Sequence, residues 1–190
     1  MTGDKYDDSM AMVARGEVPK LQALQIHNST VYRWNRPCYG ISDNGKPHLR
    51  IENRVIPSGP TVLDEIANAA LWLGCMAGLD DTQKDITKNI SFEDVRDNFG
   101  KAAQFGIDTK FTWLKDKKIT PTELALQELI PLAEHGLKLK GVNQDDITRY
   151  MDVIKGRAEK HMTGARWQLR AFTSFIKHVT RDEAMVVLTQ

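Results

Sequence analysis

The stretch His48-Leu-Arg-Ile-Glu-Asn-Arg-Val-Ile56 decides how the chain is read. Leu49, Ile51 and Val55 alternate with Arg50, Glu52 and Arg54, the period of two expected of a half-buried strand. Just before it, Ser42-Asp-Asn-Gly-Lys-Pro47 carries turn chemistry centred on Asn44-Gly45. Upstream again, Leu21 to Tyr39 is rich in β-formers and aromatics, with Pro37 as a strand terminator. Two strands about an Asn-Gly turn predict an antiparallel β-hairpin.

Beyond the hairpin the period changes. Pro57-Ser-Gly-Pro60 reads as a rigid strand-to-helix turn, and Thr61 can cap a helix to about Gly78. That helix is apolar on most sides and is expected to be largely buried. Its most apolar run, Ile66 to Leu79, is shorter than the ~20 residues of a membrane span. Ser91-Phe-Glu-Asp94 and Thr120-Pro-Thr-Glu123 are capping-box patterns. Asn143 or Gln144, Thr163 and Thr180 can open three further helices, and Gly106 and Gly141 stand where C-terminal glycines belong. The expected fold is α+β: a hairpin, a buried helix and a mostly helical remainder. The expected organisation is a polar arm over 1–20, the hairpin and its helix over 21–80, and a helical region over 81–190. A lone hairpin is marginal in water and leaves two edges open, so further strands or covering helices are expected.

Composition narrows the function classes. The chain has 190 residues, with 26 Lys plus Arg against 25 Asp plus Glu, a formal net charge of +1. Bulk charge therefore does not drive binding to a polyanion. Hydrophobic residues make up 41% and charged residues 27%, an ordinary globular balance. Two cysteines, Cys38 and Cys75, make no disulfide framework and suggest a reducing compartment. The polar, acidic start is unlike a secretion signal, so the expected location is cytoplasmic.

The balanced total hides a local surplus. Arg33, Arg36, Arg50 and Arg54 fall within twenty-two residues, and Leu21 to Pro60 holds five basic residues against two acidic ones. Strand geometry puts Arg50, Glu52 and Arg54 on one face, about 7 Å apart. Such a row can clamp a phosphate through its guanidiniums while the carboxylate holds a divalent cation on that phosphate. The same pattern also fits a solvated strand face whose ion pairs contribute little.

The run Arg50-Ile-Glu-Asn-Arg-Val-Ile-Pro-Ser-Gly-Pro-Thr61, followed by Asp64-Glu-Ile-Ala-Asn-Ala-Ala-Leu71 and Met76-Ala-Gly-Leu-Asp80, resembles the glutamine-synthetase-like ATP-dependent ligases. Within these it is most similar to the glutamate–cysteine ligase family of carboxylate–amine ligases, whose preceding strand looks like His27-Asn-Ser-Thr-Val-Tyr-Arg-Trp-Asn-Arg-Pro37. The similarity is dense from Val18 to Asp80 and thin beyond, apart from Thr163-Gly-Ala-Arg-Trp-Gln168. It implies that Glu52 binds Mg²⁺ at the phosphates of ATP and that Arg54 reaches the transferred γ-phosphate. It also implies that Arg36 and Arg33 contact nucleotide phosphates and that Arg50 assists, although alternation in a regular strand sets Arg33 on the face opposite Arg36. The implied reaction activates a glutamate γ-carboxylate as an acyl phosphate, which an amine then attacks. The family's sheet has further upstream strands bearing other metal-binding carboxylates and the glutamate site, and the residues before Leu21 are too few and too polar to supply them. The chain thus resembles the C-terminal part of a longer enzyme, expected to lack turnover alone, with homo-oligomerisation open and no nucleic acid or membrane as partner.

Other residues carry weaker signals. His27 and His48 flank the hairpin, whereas His135, His161 and His178 have no metal-ligand spacing. Cys38 and Cys75 lack a base nearby in sequence and read as small buried hydrophobes. Tyr32, Trp34 and Tyr39 interleaved with Arg33 and Arg36 would also suit a single-stranded nucleic-acid platform. The helices from Ser91 onward would suit a protein-interaction module, although Leu124, Leu126, Leu129, Ile130, Leu132 and Ala133 read more readily as core.

Overall fold

The computed structural model describes residues 8–30, 33–56, 59–82 and 85–189. They form a mostly helical α+β structure with a small antiparallel hairpin. The chain divides into two compact units, Met1–Pro57 and Ser58–Gln190.

In the first unit, α1 (Ser9–Ala14) is capped by the Asp8 carboxylate, which accepts from the Met10 and Ala11 amides. The expected polar arm therefore contains a short helix; the expectation for residues 1–7 lies outside the described residues. α2 (Gln22–Thr30) replaces the first half of the long strand expected over Leu21 to Tyr39. Gln22, Ala23, Leu24 and Gln25 are good helix formers, and they outweigh the β-branched Ile26 and Thr30 that suggested a strand. Thr30 donates its hydroxyl to the Ile26 carbonyl within the last turn.

The strand proper, β1 (Asn35–Ile41), pairs antiparallel with β2 (Pro47–Asn53) in the register Arg36 to Glu52, Cys38 to Arg50 and Gly40 to His48. Gly45, at φ +77°, makes the turn, and its amide donates to the Ser42 carbonyl. The Ser42 amide donates to Lys46, and the Arg54 amide donates to Trp34 at the far end. By antiparallel alternation the pairs 36–52, 38–50 and 40–48 also exchange bonds, so the amide positions of residues 37 and 47 face outward. Pro37 therefore continues the strand instead of ending it, because an outward position needs no donor. Its carbonyl is taken by the Asn28 side chain of α2 at 2.7 Å, and the Tyr39 hydroxyl donates to Pro19 O at 2.6 Å. Val55 lies past the end of β2, and Leu49 (74% exposed) and Ile51 are not covered.

The second unit starts with α3 (Val62–Thr82), whose first turn is closed by Thr61 accepting from the Asp64 amide. Its packing partners are the helices of the same unit. There follow α4 (Phe92–Phe105), a two-residue ribbon of β3 (Phe111–Thr112) and β4 (Lys118–Ile119), and α5 (Pro121–Leu124). A π-helical turn, Ala125–Leu129, leads into α6 (Ile130–Leu139), followed by α7 (Gln144–Glu159), α8 (Gly164–Phe175) and α9 (Arg181–Thr189). The caps are those anticipated: Ser91, the reciprocal Thr120/Glu123 box with Pro121, Asn143, Thr163, and Thr180 accepting from Glu183. The short ribbon was not anticipated. It is held by Asn98 of α4, whose amide bonds both the N–H and the C=O of Thr112.

The core lies where α3, α6 and α7 meet, around Ala67, Ile130, Ala133, Leu137, Ile147, Met151 and Ile154. The Leu124-to-Ala133 stripe is thus core: Leu124, Ile130 and Ala133 are buried. α3 and α6 approach backbone to backbone at Gly74, Gly78 and Gly136, where an added methyl at Gly136 would lie 2.5 Å from the Gly78 nitrogen. Pro131 has no N–H to continue an α-helical ladder, and the ladder widens just before it: the Ile130 amide donates five residues back to Ala125. The Cys75 thiol of α3 donates to the Leu129 carbonyl in this turn at 3.4 Å, and burial pushes that thiol up to about 11.

α3 is less buried than its composition predicts. Val62 is 73% and Leu73 60% exposed, and only one face packs on α6 and α7. It also runs for 21 residues, and an 18-residue window within it has a mean hydropathy of 1.3; by length and composition it is the one described helix long and apolar enough to cross a membrane.

The glycine crossing gives a direct test. Gly136→Ala should lower the urea unfolding midpoint by the equivalent of about 1–3 kcal/mol, the usual cost of overpacking. Gly156→Ala, which meets open space in α7, should be neutral or stabilise by up to about 1 kcal/mol. Equal tolerance of both changes would refute the close approach.

Candidate functional site

The hairpin face that carries Arg36, Cys38 and Gly40 on β1 carries His48, Arg50 and Glu52 on β2, with Arg54 following past the strand end. Glu52 is the hub. Its Oε2 accepts from Arg36 Nε at 2.5 Å and its Oε1 from Arg54 Nε at 2.8 Å, so each oxygen is engaged by a different guanidinium. Arg54 first and Arg36 second hold the carboxyl down at about 2, against an ordinary 4.5. Arg36 also donates to the Asn28 carbonyl in the last turn of α2, where the helix presents free carbonyls and its negative dipole end. One side chain thereby ties helix to sheet. The Cys38 thiol donates to Glu52 Oε2 at 3.7 Å.

Arg50 stands opposite Cys38 and differs from its neighbours. It is exposed, makes no ion pair among the described residues, and lines an open pocket of about 230 Å³ with Arg36, Cys38, Tyr39 and the α2 residues Leu24, Gln25 and Asn28. Three guanidiniums against one carboxylate leave this face cationic, and an oxyanion is the ligand such a face attracts.

Of the residues picked out by sequence, Glu52 is brought into direct contact with Arg36 and Arg54, and Arg50 lines a pocket with Arg36. Arg33 does not join. It lies ahead of β1, exposed, with no hydrogen bond or ion pair to the cluster, because the strand begins only at Asn35. Tyr32 lies outside the described residues, as do Pro57 and Ser58 of the expected rigid turn. His27 is on the exposed side of α2 and not on a strand. Asn28 and Cys38 were not anticipated as site residues. Cys38 was detectable as the next same-face neighbour of Arg36, whereas Asn28 was hidden by the misread helix.

Among the described residues no three His, Cys, Asp or Glu side chains cluster as a metal site. Glu52 alone suits Mg²⁺, which commonly takes one or two carboxylates and completes its shell with phosphates and water. Two adjacent guanidiniums oppose a bare cation there, so metal fits this face only in company with an anion. Comparison with family models, with curated proteins and with solved structures found no match to this chain.

The Glu52 carboxyl signal followed by ¹³C NMR should titrate near pH 2. Because its pKa is lowered on folding, the stability it contributes is complete above pH 4.5 and is lost as pH falls toward 2. Arg54→Ala should move this midpoint up more than Arg36→Ala does, since Arg54 is the larger cause. An ordinary midpoint in the unmodified chain would remove Glu52 from the centre of the cluster.

Proposed function

We propose that the hairpin is the phosphate-handling element of an ATP- and Mg²⁺-dependent carboxylate–amine ligase of the glutamate–cysteine ligase type. The observation that carries the reading is the single cationic face on which Arg36, Arg50 and Arg54 surround Glu52. Phosphoryl transfer needs positioning and charge neutralisation rather than protein nucleophiles, and guanidiniums provide both. In this reading Arg36 and Arg54 bind nucleotide phosphates, Arg54 nearest the γ-phosphate, while Glu52 takes a Mg²⁺ that arrives on the nucleotide. The γ-carboxylate of glutamate attacks the γ-phosphorus of ATP and displaces ADP, forming an acyl phosphate. An amine then attacks the acyl carbon, expels inorganic phosphate and loses a proton, leaving an amide.

A two-stranded sheet offers one carboxylate and no evident glutamate site. In this proposal the hairpin belongs to a larger glutamine-synthetase-like sheet whose other strands come from elsewhere in the same protein, acting in the cytoplasm. The 190-residue chain alone then binds nucleotide without turnover.

The test is thermal unfolding of the chain with Mg-ATP, ATP alone, Mg²⁺ alone and a single-stranded polynucleotide. Mg-ATP should raise the midpoint, Mg²⁺ alone should not, and Arg36→Ala or Arg54→Ala should abolish the gain. A gain with the polynucleotide that is lost at high salt would replace this reading with single-strand binding. Robust amide formation by the isolated chain would overturn the claim of incompleteness.

A further inference from the structure

We propose that His48 and Arg50, seated over Gly40, form a phosphate-binding subsite at the turn end of the hairpin, separate from the Arg36–Glu52–Arg54 cluster. Gly40 pairs with His48 across the strands, and Arg50 is two residues further along β2 on the same face. A methyl group added at Gly40 would meet His48 Cε1 at 2.6 Å and Nε2 at 2.8 Å, and an Arg50 guanidinium nitrogen at 3.2 Å. The imidazole and the guanidinium therefore converge above one point of bare backbone, a convergence that only glycine permits.

Their hydrogen-bonding state sets this end of the face apart. Arg36 donates through Nε to Glu52 and through Nη1 to Asn28, and Arg54 donates through Nε to Glu52. No side-chain hydrogen bond or ion pair involves His48 or Arg50 among the described residues, and the face is open to water at Arg50. Two side chains with uncompensated donors, His48 and Arg50, thus meet over Gly40. A carboxylate is satisfied by one bidentate guanidinium, whereas a phosphate keeps a further oxygen for a second donor, and His48 supplies it. The chemistry selected is a phosphate group, either free or at the end of a nucleotide. The nucleotide as source rests on the ligase reading; the binding of phosphate itself rests on the geometry alone.

The full chain, isotope-labelled, is titrated with inorganic phosphate at fixed ionic strength while the Arg50 Nε–H and His48 ring signals are followed by NMR, with acetate as the control anion. The expected result is a saturable shift of both signals with phosphate, at about millimolar affinity, and little response to acetate. Arg50→Gln and His48→Ala should each weaken binding about tenfold, the loss expected for a charge-assisted hydrogen bond. Gly40→Ala, which displaces the imidazole, should weaken it as well, and the Arg50 variant still decides the matter if that change disturbs the hairpin. Absence of a shift, an equal response to acetate, or indifference to Arg50→Gln overturns the subsite. Mg-ATP binding that depends on Arg36 but ignores both His48 and Arg50 overturns it too while leaving the ligase reading intact. Phosphate binding at His48 and Arg50 without any ATP binding sustains the subsite and removes the ligase reading.

Discussion

A single carboxylate holds the first unit in shape. Antiparallel pairing sets Arg36 opposite Glu52, and strand periodicity returns Arg54 to the same face two residues later. Without Glu52, guanidiniums would crowd one side of a two-stranded sheet and repel one another. With it, Arg36 is held in the orientation from which it also reaches the last turn of α2. The helix, the strand and the chain beyond β2 are therefore tied through one side chain. Because the pairs are partly open to water, their value lies more in fixing geometry than in energy.

The second unit rests on a different kind of contact. α3 and α6 lie so close at Gly74, Gly78 and Gly136 that main chain meets main chain, and Ile147, Met151 and Ile154 of α7 fill the space beside them. Close approach maximises dispersion and excludes water without long side chains. It also demands that α6 be held at a fixed height along α3. The π turn ahead of Pro131, with Cys75 on its Leu129 carbonyl, lies where that height is set.

The parts legible in the sequence were those with local causes. Asn44-Gly45 between alternating residues marks a hairpin, and Ser91, Thr120, Asn143, Thr163 and Thr180 each cap the helix that follows. Arg36, Glu52, Arg50 and Arg54 share a face because a period of two permits nothing else once the register is known. The failures have tertiary causes. Gln22–Thr30 has mixed propensity and becomes helix where it can lay Leu24 and Asn28 against β1. With the helix misread, Arg33 was assigned to a strand that starts two residues after it. The strands at 111–112 and 118–119 are too short for any periodicity and exist because Asn98 supplies the bonds of a missing neighbour. α3 looked buried because its composition is apolar, but composition does not record which faces find a partner.

The two prolines of the hairpin have a consequence for how the sheet can grow. Pro37 and Pro47 both sit at outward-facing positions, one on each strand. A strand added in continuous register to either side would meet a gap in the donor row, and beside Pro37 the remaining carbonyl is already held by Asn28. Stacking of like hairpins into a fibril requires every rung to be complete, so these interruptions oppose it even though Leu49 and Ile51 lie bare on the apolar face. Sheet extension at β2 is thereby directed away from the turn, toward Leu49 to Asn53, the segment that also carries Arg50 and Glu52.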